Sequence, residues 1–264
     1  MSPPWRITRF SLGGRVADAD ATRIVSHVFD HVTIGVANID VSRRFYDGAF
    51  AALEVPVSRG AEFLEWGDFS IAITPRRART RRVHVAFAAR SRAHVDAFWR
   101  AAVDAGGTDN GAPGIRPHYH ESYYGAFVLD PDGNNVEAVF HGVERAPGEI
   151  DHLSLRVRNR ALSERFYATV LEVFNPRRYG LDDAAGFLSG NGGLWLYDGK
   201  PTENLHFAFA APDNAAVDAF WSAGTEAGFI DNGPPGERRY HRGYYAAFLL
   251  DPDGNNVEAV SHNR

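Results

Sequence analysis

Ten consecutive residues, Asp130 to Val139, read DPDGNNVEAV, and the same ten letters return from Asp251 to Val260, displaced by 121 positions. At that displacement Asp30-His31 maps onto Asp151-His152, Phe45-Tyr46 onto Phe166-Tyr167, Tyr119-His120 onto Tyr240-His241, and Tyr123-Tyr124 onto Tyr244-Tyr245. In between, the displacement is 122, carrying His84 to His206 and Ala97-Phe98-Trp99 to Ala219-Phe220-Trp221. A period this long signals duplicated domains, since solenoid units are several times shorter. The reading is two tandem domains, 29–141 and 150–262. They are joined by a polar linker with Pro and Gly over 142–149 and preceded by an arm over 1–28, in which Ile7, Phe10 and Leu12 would pack on the body.

Each copy carries the same mixture of elements. His31 to Val36 alternates like a strand, and Ile39-Asp40 opens a helix with Val41, Phe45 and Ala49 on one face. Short strands follow around Val55, Phe63 and Ile71, then a strand over Val83 to Ala88. Ser91 caps a second helix whose buried stripe is Val95, Phe98, Trp99, Ala102 and Val103, and Gly106-Gly107 ends it. The strands Tyr123 to Leu129 and Asn134 to His141 are joined by the Asp130-Pro131-Asp132-Gly133 turn. Strand, helix and three strands, twice per copy, give an α+β chain.

Composition narrows the chemistry. A chain of 264 residues without cysteine has neither disulfides nor thiolate ligands, so a bound metal must rest on His and carboxylate groups. The net charge of -5 argues against nucleic acid as the main partner. No apolar run reaches the about eighteen residues of a membrane span, which points to a soluble, cytoplasmic protein. The run Arg76, Arg77, Arg79, Arg81 and Arg82 reads as a solvated turn, with an anionic substrate as the other use for it.

Three residues per copy qualify as metal ligands on otherwise apolar strands: His31, His84 and Glu137 in the first, His152, His206 and Glu258 in the second. Their spacings are 53 and 53 residues, then 54 and 52, so the trio survives a slip in the intervening loops. Two imidazoles and a carboxylate suit Fe(II) first, and Mn, Ni, Co or Zn equally by ligand type, and they leave coordination positions for substrate oxygens. The competing reading is half-buried histidines satisfied by hydrogen bonds beside rim carboxylates; an unpaired buried carboxylate is costly, which favours the metal. In the loop before the last hairpin, His120 and His241 are candidate proton carriers. His141 and His262 lie four residues past each Glu, about 13 Å along a strand, and read as rim residues.

The segments Asp30-His31-Val32, Val83-His84-Val85-Ala86-Phe87 and Asp130-Pro131-Asp132-Gly133-Asn134-Asn135-Val136-Glu137 resemble the vicinal-oxygen-chelate superfamily of glyoxalases, bleomycin-resistance proteins and type I extradiol dioxygenases. The resemblance implies paired βαβββ units forming a curved mixed-sheet cup around the metal in each domain. Glyoxalase I enzymes usually add a carboxylate from the fourth strand, where this chain has Ser70-Ile71-Ala72-Ile73 and Gly193-Leu194-Trp195-Leu196. Extradiol dioxygenases place a His where His120 and His241 stand, and then a Tyr where this chain has Phe127 and Phe248; Tyr124 and Tyr245 are the substitute donors. The expectation is a metal-dependent dioxygenase, or a lyase or isomerase, acting on a small oxygen-chelating substrate, with homodimer formation open. The alternative is a non-catalytic antibiotic- or metabolite-binding resistance protein. Whether the halves of each cup come from one copy or are exchanged between copies stays open.

Overall fold

A computed structural model describes residues 28–60, 62–72, 78–146, 148–189 and 192–263. The expected arm, with Ile7, Phe10 and Leu12, and Arg76 and Arg77 of the arginine run lie outside the described residues.

The chain lays down the same βαβββ unit four times. The first is β1 (Phe29–Ile34), α1 (Ile39–Ala52), β2 (Val57–Arg59), β3 (Phe63–Trp66) and β4 (Phe69–Ala72); the second is β5 (Val83–Ala88), α2 (Arg92–Asp104), β6 (Thr108–Ile115), β7 (Tyr124–Leu129) and β8 (Asn135–Phe140). The second copy repeats them as β9 (Ile150–Val157), α3 (Arg160–Val170), β10 (Arg177–Gly180), β11 (Ala184–Ser189) and β12 (Gly192–Asp198), then β13 (His206–Ala210), α4 (Asn214–Glu226), β14 (Ile230–Glu237), β15 (Tyr244–Leu250) and β16 (Asn256–His262). Each helix starts where a short polar side chain caps it: Asn38, Ser91, Asn159 and Asp213 accept from free amides of the first turn.

These units form two eight-stranded mixed sheets, β14-β15-β16-β13-β1-β4-β3-β2 and β10-β11-β12-β9-β5-β8-β7-β6. The α+β architecture of curved mixed sheets is therefore as expected, but neither sheet belongs to one copy. Antiparallel pairing of β1 with β13, and of β5 with β9, joins the first half of one copy to the second half of the other. The crossovers from β4 to β5 and from β12 to β13 hold the exchange together where they meet. Arg81 and Glu203 pair backbone to backbone, Thr80 Oγ1 donates to the Asn204 carbonyl, and Thr202 Oγ1 donates to the Arg82 carbonyl. Both threonines are fully buried. The described part of the arginine run is thus a structural crossover: Arg79 pairs with Asp132, and Arg82 donates to the Pro201 carbonyl and pairs with Glu203.

One apolar cluster joins the helix-facing sides of both sheets; Phe50 of α1 sits 5.8 Å from Phe69 of β4 and 4.8 Å from Phe87 of β5. The buried face of α1 is Ser42, Phe45, Tyr46, Ala49 and Phe50, with Val41 at its exposed margin rather than in the stripe. In α2 the buried residues are Val95, Phe98 and Ala102, while Trp99 and Val103 flank them, and Trp99 Nε1 donates to Asp109. The repeated turn sequence anchors the hairpins to this core. Asp130 accepts from the Asp132 and Asn134 amides and from the Tyr46 hydroxyl at 2.7 Å, and Asp251 does the same with Tyr167. No helix among the described residues is long and apolar enough to cross a membrane.

Candidate metal centres

Because side chains alternate along a strand, the residues next to core-facing Val32 and Leu153 point to the opposite, concave side, and those residues are His31 and His152. The exchange of halves decides which side chains meet them. In the first cup, built on β1 to β4 and β13 to β16, His31 meets His206 and Glu258. In the second, built on β5 to β12, His84 and Glu137 meet His152. The trios expected within each copy, His31/His84/Glu137 and His152/His206/Glu258, are therefore corrected. All six residues are used, but each cup takes one His from one copy and a His and Glu from the other. Equivalent strands carry equivalent residues in both copies, so periodicity alone does not register the swap.

In the first cup His31 Nε2 lies 3.0 Å from His206 Nε2 and 3.6 Å from Glu258 Oε2, and His206 Nε2 lies 3.1 Å from the same oxygen. In the second, Glu137 Oε2 lies 2.9 Å from His84 Nε2 and 3.5 Å from His152 Nε2. Three donors about 2.1 Å from one ion, at octahedral to tetrahedral angles, stand about 3.0–3.4 Å apart, so the spacing suits a single cation. The donor chemistry calls for positive charge among these atoms. Asp30 accepts from His31 Nδ1, which leaves the Nε2 lone pair facing a buried carboxylate, and two lone pairs at that distance repel unless positive charge lies between them. Either a proton or a metal ion supplies it.

The surroundings of each trio orient the donors. Asp30 and Asp151 accept from Nδ1 of His31 and His152 at 2.8 Å, while Asn135 and Asn256 meet Nδ1 of His84 and His206 at 2.7 and 2.8 Å. Each cup thus pairs one carboxylate-backed with one amide-backed imidazole. Burial pulls His31 and His152 down, but the Asp30 and Asp151 hydrogen bonds and the Glu258 and Glu137 charges outweigh it and hold both above the ordinary 6.5. For His84 burial prevails over Glu137, and its pKa falls. Burial favours neutral Asp151, yet its bonds to His141 and His152 keep it ionised well below the carboxylate range.

The aspartates reach further. His262 Nε2 lies 2.7 Å from Asp30 and His141 Nε2 lies 2.9 Å from Asp151, so these rim histidines, too far along the strand to touch the ion, brace the carboxylates behind its ligands. The other oxygen of each glutamate accepts from a tyrosine: Tyr123 OH to Glu137 Oε1 at 2.6 Å, Tyr244 OH to Glu258 Oε1 at 2.7 Å. Burial and the neighbouring carboxylate push both phenols far up, so they remain donors. Tyr124 and Tyr245, expected as catalytic donors, stand one residue on and face the helices, where their hydroxyls donate to Asp96 and Asp218. That expectation is corrected by the alternation of the strand. His120 lines the second cup's cavity with Nδ1 2.8 Å from Ser122 Oγ, and His241 Nε2 lies 2.9 Å from His262 Nδ1. Asp30, Asp151, Asn135, Asn256 and Tyr244 were not singled out as site residues from the sequence, although each lies inside a repeated segment.

The second cup opens into a cavity of about 580 Å³ lined by its trio, by Tyr119, Tyr123, Phe127, Trp195 and Tyr197, and by Arg82, Arg145 and Arg156. The description "Glyoxalase/Bleomycin resistance protein/Dioxygenase superfamily" belongs to a family model that matches residues 28–138 and again 149–259. Among solved structures, glyoxalase I from Zea mays is similar with a TM-score of 0.62 and 19% identity, covering 89% of this chain and 92% of that one. A putative dioxygenase from Bacillus subtilis subsp. subtilis str. 168 is similar with a TM-score of 0.65 and 13% identity, over 92% and 87%. At these identities the likeness is one of fold. No curated protein sequence matches the chain.

Proposed function

Since the chain belongs to the Glyoxalase/Bleomycin resistance protein/Dioxygenase superfamily, we propose that it is a metal-dependent enzyme whose cups each hold one divalent cation. His31, His206 and Glu258 would bind one ion, and His84, Glu137 and His152 the other. The observation that carries this reading is the convergence of three ligand atoms, two imidazole nitrogens and one carboxylate oxygen, at coordination spacing in both cups. Bound there, the cation would polarise adjacent oxygens of a small organic substrate, and as Fe(II), the first choice for this ligand set, would serve an oxygenase; a lyase or isomerase is the neighbouring reading.

The protein's own groups divide the remaining work. Asp30 and Asp151 fix the tautomer of the imidazoles they hold, so that Nε2 and not Nδ1 presents its lone pair. Tyr123 and Tyr244 occupy one oxygen of each glutamate and leave the other for the ion. Of the four side chains expected to move protons, His120 is the one that lines the described cavity, and we assign it the exchange of a proton between that cavity and solvent.

Elemental analysis of the protein purified without added metal, followed by Co(II) titration of the stripped protein, tests the proposal. Two equivalents per chain are expected, falling to one in Glu137→Gln and one in Glu258→Gln. A folded protein that binds no metal and still takes up an organic ligand would replace the enzyme with a binding protein of the same fold.

A further inference from the structure

The two cups carry the same donors on different walls. In the second cup Trp195 pairs with Ser154, two residues beyond the ligand His152, and its ring lines the cavity. The corresponding position of the first cup, opposite Thr33 and two residues beyond His31, is Ser70, whose hydroxyl is tied to Thr33 at 2.8 Å. Two residues further along each strand the contrast repeats, Tyr197 in one cup and Ala72 in the other.

The strand outside Trp195 is adapted to it. Gly186 pairs with Trp195, and a Cβ on Gly186 would fall 2.6 Å from the indole ring, so the ring lies across bare backbone that any other residue would obstruct. At the matching place beside Ser70 stands Glu65, exposed and close enough for its charge to act on His31. Among the described residues the hairpin strands differ in length as well, β11 and β12 having 6 and 7 residues against 4 and 4 in β3 and β4. Leu188 of the longer hairpin lines the cavity, and Tyr119, on the loop before β7, closes it from the opposite copy.

We propose that the two centres have different ligands, and that the second cup alone accepts a molecule with a flat aromatic body, seated on Trp195 between Tyr197 and Tyr119. Flat aromatic faces select flat ligands by stacking and by area removed from water, and a cavity of about 580 Å³ has room for one of ordinary metabolite size. The first cup has Ser70 and Ala72 where that platform would be and a carboxylate beside it, so an apolar ring finds no platform on that wall and an anionic one is repelled. This deepens the metal-cup reading, on which it rests for the ligand's polar end, but the wall itself acts with or without an ion.

The aromatic anion 8-anilinonaphthalene-1-sulfonate is a suitable probe, titrated by fluorescence into the full chain both metal-stripped and Co(II)-loaded. One probe per chain is expected, with Kd raised at least tenfold in Trp195→Ser and in Tyr119→Ala and unchanged within twofold in Ser70→Ala and Glu65→Gln. Near-ultraviolet circular dichroism identifies any variant that has lost its packing, and the half-buried position of Tyr119 on a loop outside the sheets keeps one variant informative if Trp195→Ser does not fold. Two equivalent probes per chain, one probe indifferent to Trp195 and Tyr119, or no binding would each overturn the proposal. Cobalt stoichiometry on the same samples separates this failure from failure of the metal centres, since either result can occur without the other.

Discussion

Tyr123 and Tyr124 are neighbours with opposite assignments: one hydroxyl completes the bonding of the buried Glu137 and the other caps an aspartate on α2. Tyr123→Phe should weaken metal binding in the second cup roughly tenfold, as loss of a partner behind a ligand commonly does, whereas Tyr124→Phe should leave it unchanged. Paired Co(II) titrations of the two variants decide it. The raised His31 and His152 give a second prediction. A basic group whose folded pKa lies above its unfolded value contributes stability that is complete below about 6.5 and lost as pH rises through the folded value. Metal needs the neutral imidazole. The stripped protein should therefore lose thermal stability as pH rises past neutrality, while Co(II) affinity increases over the same interval with proton release, measurable by calorimetry in buffers of different ionisation heat. The six candidate ligands were legible in the sequence because duplication showed three positions twice, each on an apolar strand. Which of two adjacent tyrosines faces the ion was not, because a shift of one residue inverts a strand and neither composition nor spacing fixes the face.

At the scale of elements, the letters that announce the repeat turn out to be mostly architecture. In DPDGNNVEAV, Asp130 binds two turn amides and Tyr46, Asn134 holds the start of β5 through the Val83 amide, Asn135 supports His84, and Glu137 is the candidate ligand among them. Asp130→Ala strands a buried phenol and two backbone donors, and should cost about 3 kcal/mol, read as a lower urea midpoint. Helix starts were legible through Ser91 and Ile39-Asp40, and the order of strands through alternation and turns. The edge strand β6 was not, since its Thr108–Ile115 segment is rich in Gly and Pro and carries no hydrophobic pattern.

Across the whole molecule, the pairing of halves is the property that the sequence left open. Each copy supplies both kinds of half, and the covalent order β1 to β16 is compatible with cups closed within or between copies. A chain ending at residue 146 would keep β1 and β5 but lose β13 and β9, their partners across the cups. Such a fragment should associate in pairs, joining β1 of one molecule to β5 of another, and should bind metal only when paired. Sedimentation with and without Co(II) would show this, and a metal-binding monomer would contradict the exchange. The platform under the second cavity is encoded in the later copy and the loop that faces it in the earlier one. Neither repeat can therefore drift alone: a change selected in one is felt at once by the other, and the duplicated gene evolves as a single unit with two interdependent cups.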